Sequence, residues 1–379
     1  MIPGPTNVPP EVREALAAPC IYHRGPEFAE LIAECVCGLQ TLFGTREPVV
    51  ILSASGTGGI EAAIANLVNA GQHMLVVNTG KFGRRMGQIA ERYGAEVTWW
   101  DCRPGEVADP HLLERLLRGT HFDALGLVHN ETSTGVQQDL ARLGEVAARA
   151  GVLTIVDAIS IIGGAPLEMD ANRLGAVVGG SQKALMLPPG LSFVALSAEA
   201  RQKAAEANNP RYYFDLPRAL EALEKGQTPY TPAVNLFAGL REALRIIDRQ
   251  GLPAIFLRHR CLASACRAAV KSMGLELLAT AESHASSTVT AVKMPEPLDS
   301  SELVERIKRN NNILISGGQD QLKGKIFRIA HLGSCDLDQV VVTVSAVAEH
   351  LAAMGFDADA EAAAAAREAY QTCQQSPGA

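Results

Sequence analysis

The sequence predicts an α/β protein: a doubly wound, mainly parallel sheet with helices on both faces, followed by a smaller α+β C-terminal domain. Short apolar segments alternate with helical stretches between residues 49 and 156. These segments are continuously apolar, which is typical of parallel strands buried on both faces. The pattern changes after about Gly251, and 379 residues exceed the size at which one hydrophobic core keeps growing. Two domains are therefore expected.

The apolar and helical periods place the elements in order. Strands are predicted at residues 49–53, 73–78, 96–100, 124–129 and 152–156, alternating with helices at 58–70, 82–93 and 140–150. Two long helices at 233–250 and 252–273 lead into strands at 287–292 and 326–329, with a helix from Ser300. We expect a large domain over residues 1–250 with an extended N-terminal segment, a small domain over 251–356, and a helical tail over 357–379 that frays from Gln371.

Charge and hydropathy exclude several classes of protein. The net charge is −7 and the Lys and Arg residues form no basic stripe, so nucleic acid is not an expected partner. The N-terminus lacks the charged and apolar regions of a signal peptide, and no apolar run reaches the ~18–20 residues that span a bilayer. The chain is expected to be soluble and cytoplasmic, with no membrane partner.

The cysteines give no sign of a metal centre. They include no C-x-x-C motif and no Cys/His pairs with the spacing of a zinc site. In a chain of this length we expect reduced core thiols, with neither a disulfide nor a metal. The eight residues are Cys20, Cys35, Cys37, Cys102, Cys261, Cys266, Cys335 and Cys373.

Two candidate sites lie at predicted strand ends of the large domain. Residues 53–61 pass from a strand through Ser55, Gly56 and Thr57 into a helix, so main-chain N–H groups meet the positive end of a helix dipole. This predicts a phosphate cradle, although an N-capped helix after a tight turn explains the segment equally well. Asp157 follows an apolar strand. A carboxylate there must pair with a cation or shift its pKa, unless it only caps a helix.

Two basic residues complete the candidate chemistry. Lys183 lies between apolar segments, where desolvation lowers the pKa of an amine and prepares it to form a Schiff base, whereas most lysines are solvated surface charges. Arg328 lies in a predicted strand of the second domain, where it can bind a carboxylate with two hydrogen bonds or form a structural ion pair. A phosphate cradle, a strand-end Asp and a half-buried Lys 26 residues later suit a cofactor with a phosphate, a basic ring nitrogen and an aldehyde.

With these features the chain resembles the class V aminotransferases. These are fold-type I enzymes that use pyridoxal 5'-phosphate (PLP), and they include alanine–glyoxylate, serine–glyoxylate and serine–pyruvate aminotransferases. The resemblance extends from Pro3 to about Leu351. The matching motifs are SASGTGGIE at 53–61, HNETSTG at 129–135, VDA at 156–158, GSQKAL at 180–185, PPG at 188–190, TPYTP at 228–232 and RIAHLG at 328–333.

The resemblance implies a role for each matching residue. Lys183 would carry PLP as a Schiff base and move the proton at the substrate Cα, Asp157 would pair with the pyridine nitrogen, and Arg328 would bind the substrate carboxylate. Thr231 matches a phosphate ligand supplied by the other subunit, which implies a homodimer with shared active sites. The other implied cofactor ligands, all of them in the PLP-binding large domain, are Ser55, Gly56, Thr57, Phe82, Thr132, Gln182 and Tyr230. The other implied substrate-binding residues are Gly4, His23 and Arg24.

The implied activity is transamination between a small amino acid (alanine or serine) and a small 2-oxo acid (glyoxylate or pyruvate). Where the best-known eukaryotic members stack a Trp on the cofactor ring, this chain has Phe82, which still offers an apolar face. His23 and Arg24 are similar to a bacterial pattern near the entrance of the site, or are structural. A second cation there would suit a donor with a second anionic group, such as aspartate or an aminophosphonate.

Two further alternatives stay open. A PLP-dependent lyase is one, because C–S lyases share the fold. Residues 316–325 lack the Cys that some of these lyases use, which disfavours that branch. A PLP-free, hydrogenase-associated subunit is the alternative outside enzymology, and the intact Asp157 and Lys183 disfavour it.

Overall fold

The computed structural model describes residues 1–358 and 361–375. Its α-helices are α1 (Pro10–Leu16), α2 (Pro26–Phe43), α3 (Gly56–Leu67), α4 (Lys81–Arg92), α5 (Pro110–Gly119), α6 (Leu140–Arg149), α7 (Ala198–Glu206), α8 (Leu216–Glu224), α9 (Val234–Gln250), α10 (Leu252–Ser272), α11 (Ser300–Asn311), α12 (Leu337–Ala353) and α13 (Ala362–Gln375). Its strands are β1 (Val49–Leu52), β2 (His73–Asn78), β3 (Glu96–Asp101), β4 (Ala124–Val128), β5 (Asn130–Glu131), β6 (Val136–Gln137), β7 (Leu153–Asp157), β8 (Ala176–Gly180), β9 (Ser192–Leu196), β10 (Val289–Lys293), β11 (Ser316–Gly317) and β12 (Ile326–Ala330).

The main sheet has seven strands in the order β1-β9-β8-β7-β4-β2-β3, and β9 alone among them runs against the others. Side chains of one strand alternate between two cores. In β2, Leu75 and Val77 join the core formed with α2, α5, α6 and α9, whereas Met74 and Val76 join the core formed with α3, α4 and α7. Full burial of each such side chain stabilises the fold by ~1.5–3 kcal/mol. The predicted doubly wound, mainly parallel sheet is confirmed.

A second, antiparallel sheet in the order β10-β12-β11 follows in the chain. Phe327 and Ile329 of β12 pack into a core with α10, α11, α12 and α13. Arg328 lies between them, so it points to the opposite face of the strand. Its Nη1 donates to the main-chain oxygen of Thr132, next to the main sheet. Because successive side chains of β12 point to opposite faces, the guanidinium of Arg328 lies on the side of the strand that faces the candidate site.

The chain also contains elements that the apolar pattern did not predict. The reversed strand β9 follows β8 after eleven residues without a helix. An antiparallel pair needs only a short connection, whereas a parallel pair needs a crossover. Helices α1 and α2 precede the first strand, in what looks like a proline-rich lead-in. Pro10 and Pro26 each stand in the first turn of their helix, where proline costs no hydrogen bond.

The expectation of reduced core thiols is wrong for four cysteines. Cys261 of α10 and Cys373 of α13 form a disulfide, with their Cα atoms 5.3 Å apart, and Cys20 and Cys37 are exposed. The bonded residues are separated by 112 positions. Only the packing of α13 along α10 brings them together, so no local spacing motif announces the pair.

The predicted fray from Gln371 is also wrong as far as Gln375, because α13 continues to that residue and the disulfide holds its last turn. The remaining positions of that prediction, 376–379, lie outside the described residues. Among the described residues, no helical segment combines the length and the hydropathy that a membrane span requires.

Candidate active site

A cavity opens where the carboxyl ends of the central strands meet the first turn of α3. Its empty volume is about 600 Å³, part of it continuous with solvent. Asp157 is the last residue of β7, and Lys183 follows the end of β8 by three residues. Ligands of doubly wound sheets bind at this edge. The lining residues are Ser55, Gly56, Thr57, Ile60, Phe82, Arg85, Met86, Asn130, Thr132, Asp157, Ile159, Ser160, Gln182 and Lys183.

Asp157 and Lys183 lie in surroundings that favour their neutral forms. Burial raises the pKa of Asp157 to about 7, although the Ile159 N–H donates to its carboxylate at 2.9 Å and Lys183 attracts it. Burial lowers the pKa of Lys183 to about 8, opposed by Asp157. An amine with this pKa is partly neutral, and hence nucleophilic, near pH 8. A carboxyl group poised near neutrality ionises readily once a basic ring nitrogen approaches it.

The first turn of α3 offers main-chain donors to an anion. Ser55 is the N-cap residue, and its side chain makes no capping hydrogen bond. The first turn contains no acidic side chain, so the positive end of the helix dipole is not already neutralised from within. Gly56 keeps the turn close to its neighbour, since a Cβ there would lie 2.5 Å from Cδ1 of Ile159. Thr57 accepts a hydrogen bond from Arg85 at 3.1 Å.

Another part of the cavity wall is formed by the start of α4. Phe82 lines the cavity, and the guanidinium of Arg85 lies 5.1 Å from the centroid of its ring. Arg85 therefore joins the ring wall to the Thr57 hydroxyl. The N–H groups of Phe82 and Gly83 donate to the buried carboxylate of Glu131, at 3.0 and 3.2 Å.

Arg328 reaches the same region from the second sheet. Its Nη1 donates to the Thr132 carbonyl oxygen at 2.8 Å, while Nη2 and Nε donate to the Gly317 carbonyl oxygen at 2.8 and 3.1 Å. A guanidinium has five N–H donors, so further ones stay available to a ligand carboxylate. Burial lowers the pKa of Arg328 and the charge of Glu131 opposes this, but arginine stays protonated.

The sequence-predicted residues fall into three groups: those that line the cavity, those that adjoin it and those that lie away from it. Eight of them line the cavity: Ser55, Gly56, Thr57, Phe82, Thr132, Asp157, Gln182 and Lys183. Gly4 lies against Lys183, and Arg328 adjoins the cavity through Thr132. The other four do not line the cavity of their own chain: His23 Nε2 lies 3.4 Å from Thr231 Oγ1, Arg24 donates to the Gln227 side chain and the Thr228 carbonyl, and Tyr230 belongs to an aromatic cluster.

The structure also adds residues to which sequence reasoning gave no role. Asn130, Ser160 and Arg85 line the cavity, and Nδ2 of Asn130 donates to Oγ of Ser160 at 2.8 Å. Asn130 and Glu131 belong to the motif at 129–135, and this motif could have pointed to both residues. Arg85 stands one turn after Phe82 in a helical segment, so its position on the same face of α4 was also available.

The residues present fit PLP. The aldehyde of PLP requires an amine that is not fully protonated, its pyridine nitrogen an acid, and its phosphate a group of N–H donors. Lys183, Asp157 and the start of α3 supply these in one cavity. The buried Oε1 of Gln182, on the cavity wall, has no hydrogen-bond partner among the described residues, which marks a polar group that a ligand would satisfy.

Comparison with known proteins places the chain in a family. The family model for class-V aminotransferases matches residues 6–331. The chain therefore belongs to the class V aminotransferases; it is an aminotransferase, and its cofactor is PLP.

Individual relatives have different names. The small subunit of a soluble hydrogenase from a Synechococcus strain is 40% identical over 94% of this chain and 93% of its own length. The L-aspartate–glyoxylate aminotransferase of Paracoccus denitrificans is 36% identical over 88% and 86%. The crystal structure of the ureidoglycine–glyoxylate aminotransferase of Bacillus subtilis superposes with a TM-score of 0.92 at 30% identity, covering 98% and 97% of the two chains.

Proposed function

We propose that this aminotransferase moves an amino group between a small amino acid, alanine or serine, and a small 2-oxo acid, glyoxylate or pyruvate. The observation that carries the proposal is the shared cavity of Lys183, Asp157 and the α3 turn, with Arg328 adjoining it through Thr132. Two of the relatives have glyoxylate in their names, which supports glyoxylate as the acceptor. Their donors differ, so the donor has to be decided on this chain.

Each residue has one task in this proposal. When bound, PLP supplies an electron sink for the negative charge that develops at the substrate Cα. Lys183 attaches the cofactor and moves the proton at the substrate Cα, a role that its lowered pKa favours. Asp157 keeps the pyridine nitrogen protonated, because its carboxylate is desolvated and seeks a cation. Arg328 binds the substrate carboxylate with its remaining donors.

The other cavity residues hold and orient the cofactor. Ser55, Gly56 and Thr57 at the start of α3 would hold the phosphate, with Gln182 on the same cavity wall. Phe82 would offer an apolar face to the cofactor ring, and Thr132 would contribute its hydroxyl to the same cavity. Gly4 belongs to the segment that covers Lys183.

The proposal includes a homodimer that shares its active sites. Tyr212 is 72% exposed and Tyr213 45%, and Tyr213 stacks on Tyr230 with ring centroids 5.1 Å apart. Such exposed aromatic groups are typical of interface anchors. In this arrangement Tyr230 and Thr231 of one subunit complete the phosphate site of the other. His23 and Arg24 lie beside them and bear on the donor only if it carries a second anionic group.

The function is tested on the purified chain. With PLP the protein should show a visible absorbance band that borohydride bleaches. The cofactor that this reduction fixes to the protein should be recovered on the peptide containing Lys183. Initial rates with alanine, serine and aspartate against glyoxylate, pyruvate and 2-oxoglutarate should be highest for alanine or serine with glyoxylate or pyruvate. A preference for aspartate would show that the donor carries a second anionic group, in place of alanine or serine. Elimination without an oxo-acid acceptor would show that the enzyme is a lyase.

Two outcomes concern the wider alternatives. A chain that takes up no PLP at all would contradict the enzyme assignment and favour a role nearer to the hydrogenase-associated relative. For the dimer, Lys183→Ala and Thr231→Val should each be inactive or weak alone, yet recover up to about a quarter of wild-type activity when subunits are exchanged, because some mixed dimers contain one intact site. Absence of any recovery would contradict shared sites.

A further inference from the structure

Glu131 is a buried acid that does not line the cavity yet connects its two sides. Its side chain is fully buried. Oε1 accepts from the Ser133 hydroxyl at 2.5 Å and the Ser133 N–H at 3.1 Å, and Oε2 accepts from the N–H groups of Phe82 and Gly83 at 3.0 and 3.2 Å. Each oxygen therefore has two donors. Burial raises the pKa of Glu131, and these four hydrogen bonds oppose that rise because they stabilise the ionised carboxylate.

This carboxylate replaces the N-cap of α4. The N-cap residue is Gly80, which has no side chain to offer. Other helices are capped locally by exposed acids: Asp109 caps α5 and Asp139 caps α6. A capping side chain at position 80 has no room, because even a Cβ there would lie 2.3 Å from Oγ of Ser133 and 2.7 Å from Cδ of Glu131. The chain thus holds a buried charge at the positive end of α4 at the cost of desolvating it.

The same residue is connected to the substrate side. Thr132 follows Glu131 directly in the chain, and its carbonyl oxygen holds Nη1 of Arg328 at 2.8 Å. The negative charge of Glu131 also favours the protonated form of the buried Arg328. On the cofactor side, Glu131 fixes the main chain of Phe82, whose ring forms the cavity wall.

We propose that Glu131 is a positioning residue that sets the ring of Phe82 against the cofactor and the guanidinium of Arg328 against the substrate carboxylate through one buried carboxylate. It touches neither ligand. The proposal rests on the stacking and carboxylate-binding roles proposed above for Phe82 and Arg328. It adds that Phe82 and Arg328 are both positioned by Glu131, a residue outside the cavity. A helix cap with a purely structural effect would not connect these two residues.

Double-mutant cycles with two binding readouts test this coupling. The dissociation constant of PLP is measured by titrating cofactor-free protein, and that of propionate, a substrate-sized carboxylate, by the absorbance of the loaded protein. Glu131→Gln keeps the shape of the side chain, but its amide N–H faces one of the groups that donate to Glu131. The variant should therefore weaken the binding of both PLP and propionate by about tenfold, the usual effect of losing a hydrogen bond to a charged group. With Phe82→Leu present, Glu131→Gln should change PLP binding less than threefold while keeping its full effect on propionate. With Arg328→Lys present, Glu131→Gln should change propionate binding less than threefold while keeping its full effect on PLP binding.

The alternatives give different results. An equal effect of Glu131→Gln on both ligands in all three backgrounds would overturn the proposal, because Glu131 would then act independently of Phe82 and Arg328. If Phe82→Leu alone left PLP binding unchanged, the stacking role itself would fail, and the Phe82 half of this proposal with it. The Arg328 half would still be decided by the propionate cycle.

A milder variant and a matched control accompany the cycles. If Glu131→Gln does not fold, Ser133→Ala removes one donor to Glu131 without touching its charge, and it should show the same crossed pattern with smaller, roughly threefold effects. Asp139→Ala removes an exposed helix cap on α6. It should lower thermal stability slightly and leave both dissociation constants unchanged. A crossed pattern from Asp139→Ala would show that any lost cap produces it, and would overturn the proposal.

Discussion

Lys183 donates a hydrogen bond from Nζ to the carbonyl oxygen of Pro3, over 2.5 Å. The N-terminal segment thereby covers the amine that we propose as the attachment point of the cofactor. It is held in place by Thr6, whose N–H donates to the Gln182 carbonyl and whose hydroxyl donates to the Lys183 carbonyl. The space is tight: a Cβ on Gly4 would lie 2.7 Å from Cδ of Lys183 and 2.8 Å from Nζ.

Gly4→Ala should therefore slow the attachment of PLP to Lys183 by at least about tenfold, since the methyl group displaces the amine or the covering segment. The measurement is the rate of the absorbance change on adding PLP to the cofactor-free protein. Gly71→Ala is the matched control, because Gly71 also has a positive φ, 80°, but nothing lies within 4 Å of the added Cβ. Equal slowing by both would mean that backbone strain, and not contact with Lys183, is responsible.

The stability of the cofactor-free protein should depend on Asp157 between about pH 4 and pH 7. Its pKa is raised from 3.8 to about 7 in the fold, so the folded state binds the extra proton and loses that stabilisation as pH rises through this window. The full loss is on the order of 4 kcal/mol at 1.36 kcal/mol per pKa unit. Denaturant unfolding at several pH values should show the decline in the wild type and a flatter profile in Asp157→Asn. Identical profiles would contradict the raised pKa.

Lys183 should have the opposite effect on stability at higher pH. Its pKa is lowered from 10.5 to about 8, so the unfolded chain binds the proton more readily between these values. Stability should therefore rise as pH rises from about 8 to 10.5, and Lys183→Met should abolish this rise. The same unfolding series in glycine and carbonate buffers measures it. A rise that persists in Lys183→Met would have to come from other groups.

Arg328→Lys should not preserve binding of the substrate carboxylate, because lysine keeps the charge but lacks the planar pair of donors. We expect kcat/KM to fall by about 30- to 1000-fold, corresponding to ~2–4 kcal/mol, for every amino donor and oxo acid alike. Arg24→Ala is the comparison, and it should affect only donors with a second anionic group. Unchanged alanine turnover in Arg328→Lys would require the carboxylate site to be sought elsewhere, with Arg24 the next candidate.

The disulfide between Cys261 and Cys373 should contribute to stability without contributing to activity. It closes a loop across 112 positions, for which the chain-entropy argument gives an upper value of ~4–5 kcal/mol. Cys373→Ser, or reduction of the wild type, should lower the denaturant midpoint, with kcat/KM unchanged because neither cysteine lines the cavity. Cys37→Ser, at an exposed free thiol, should change nothing. An unchanged midpoint in Cys373→Ser would show that the bond is not formed in solution.

The class of fold was predictable from the amino-acid pattern, because strands that are buried on both faces consist of continuous apolar runs. The candidate cofactor residues were predictable as well. Asp157 and Lys183 stand where strands end, and all parallel strands end at the same edge of the sheet, so local order along the chain already implies proximity in space.

Features that join residues distant in the chain could not be predicted from local patterns. The reversed β9, the Cys261–Cys373 bond and the contact of Pro3 with Lys183 have no local pattern, since each arises from packing between segments more than a hundred residues apart or from the choice of a short connection. The lowered pKa of Lys183 was predictable in direction from its apolar neighbours, but its cause is burial produced by the whole fold. Glu131 shows the same limit: its position after a strand was readable, whereas its donors lie in a helix some fifty residues earlier, and only folding brings them to one carboxylate.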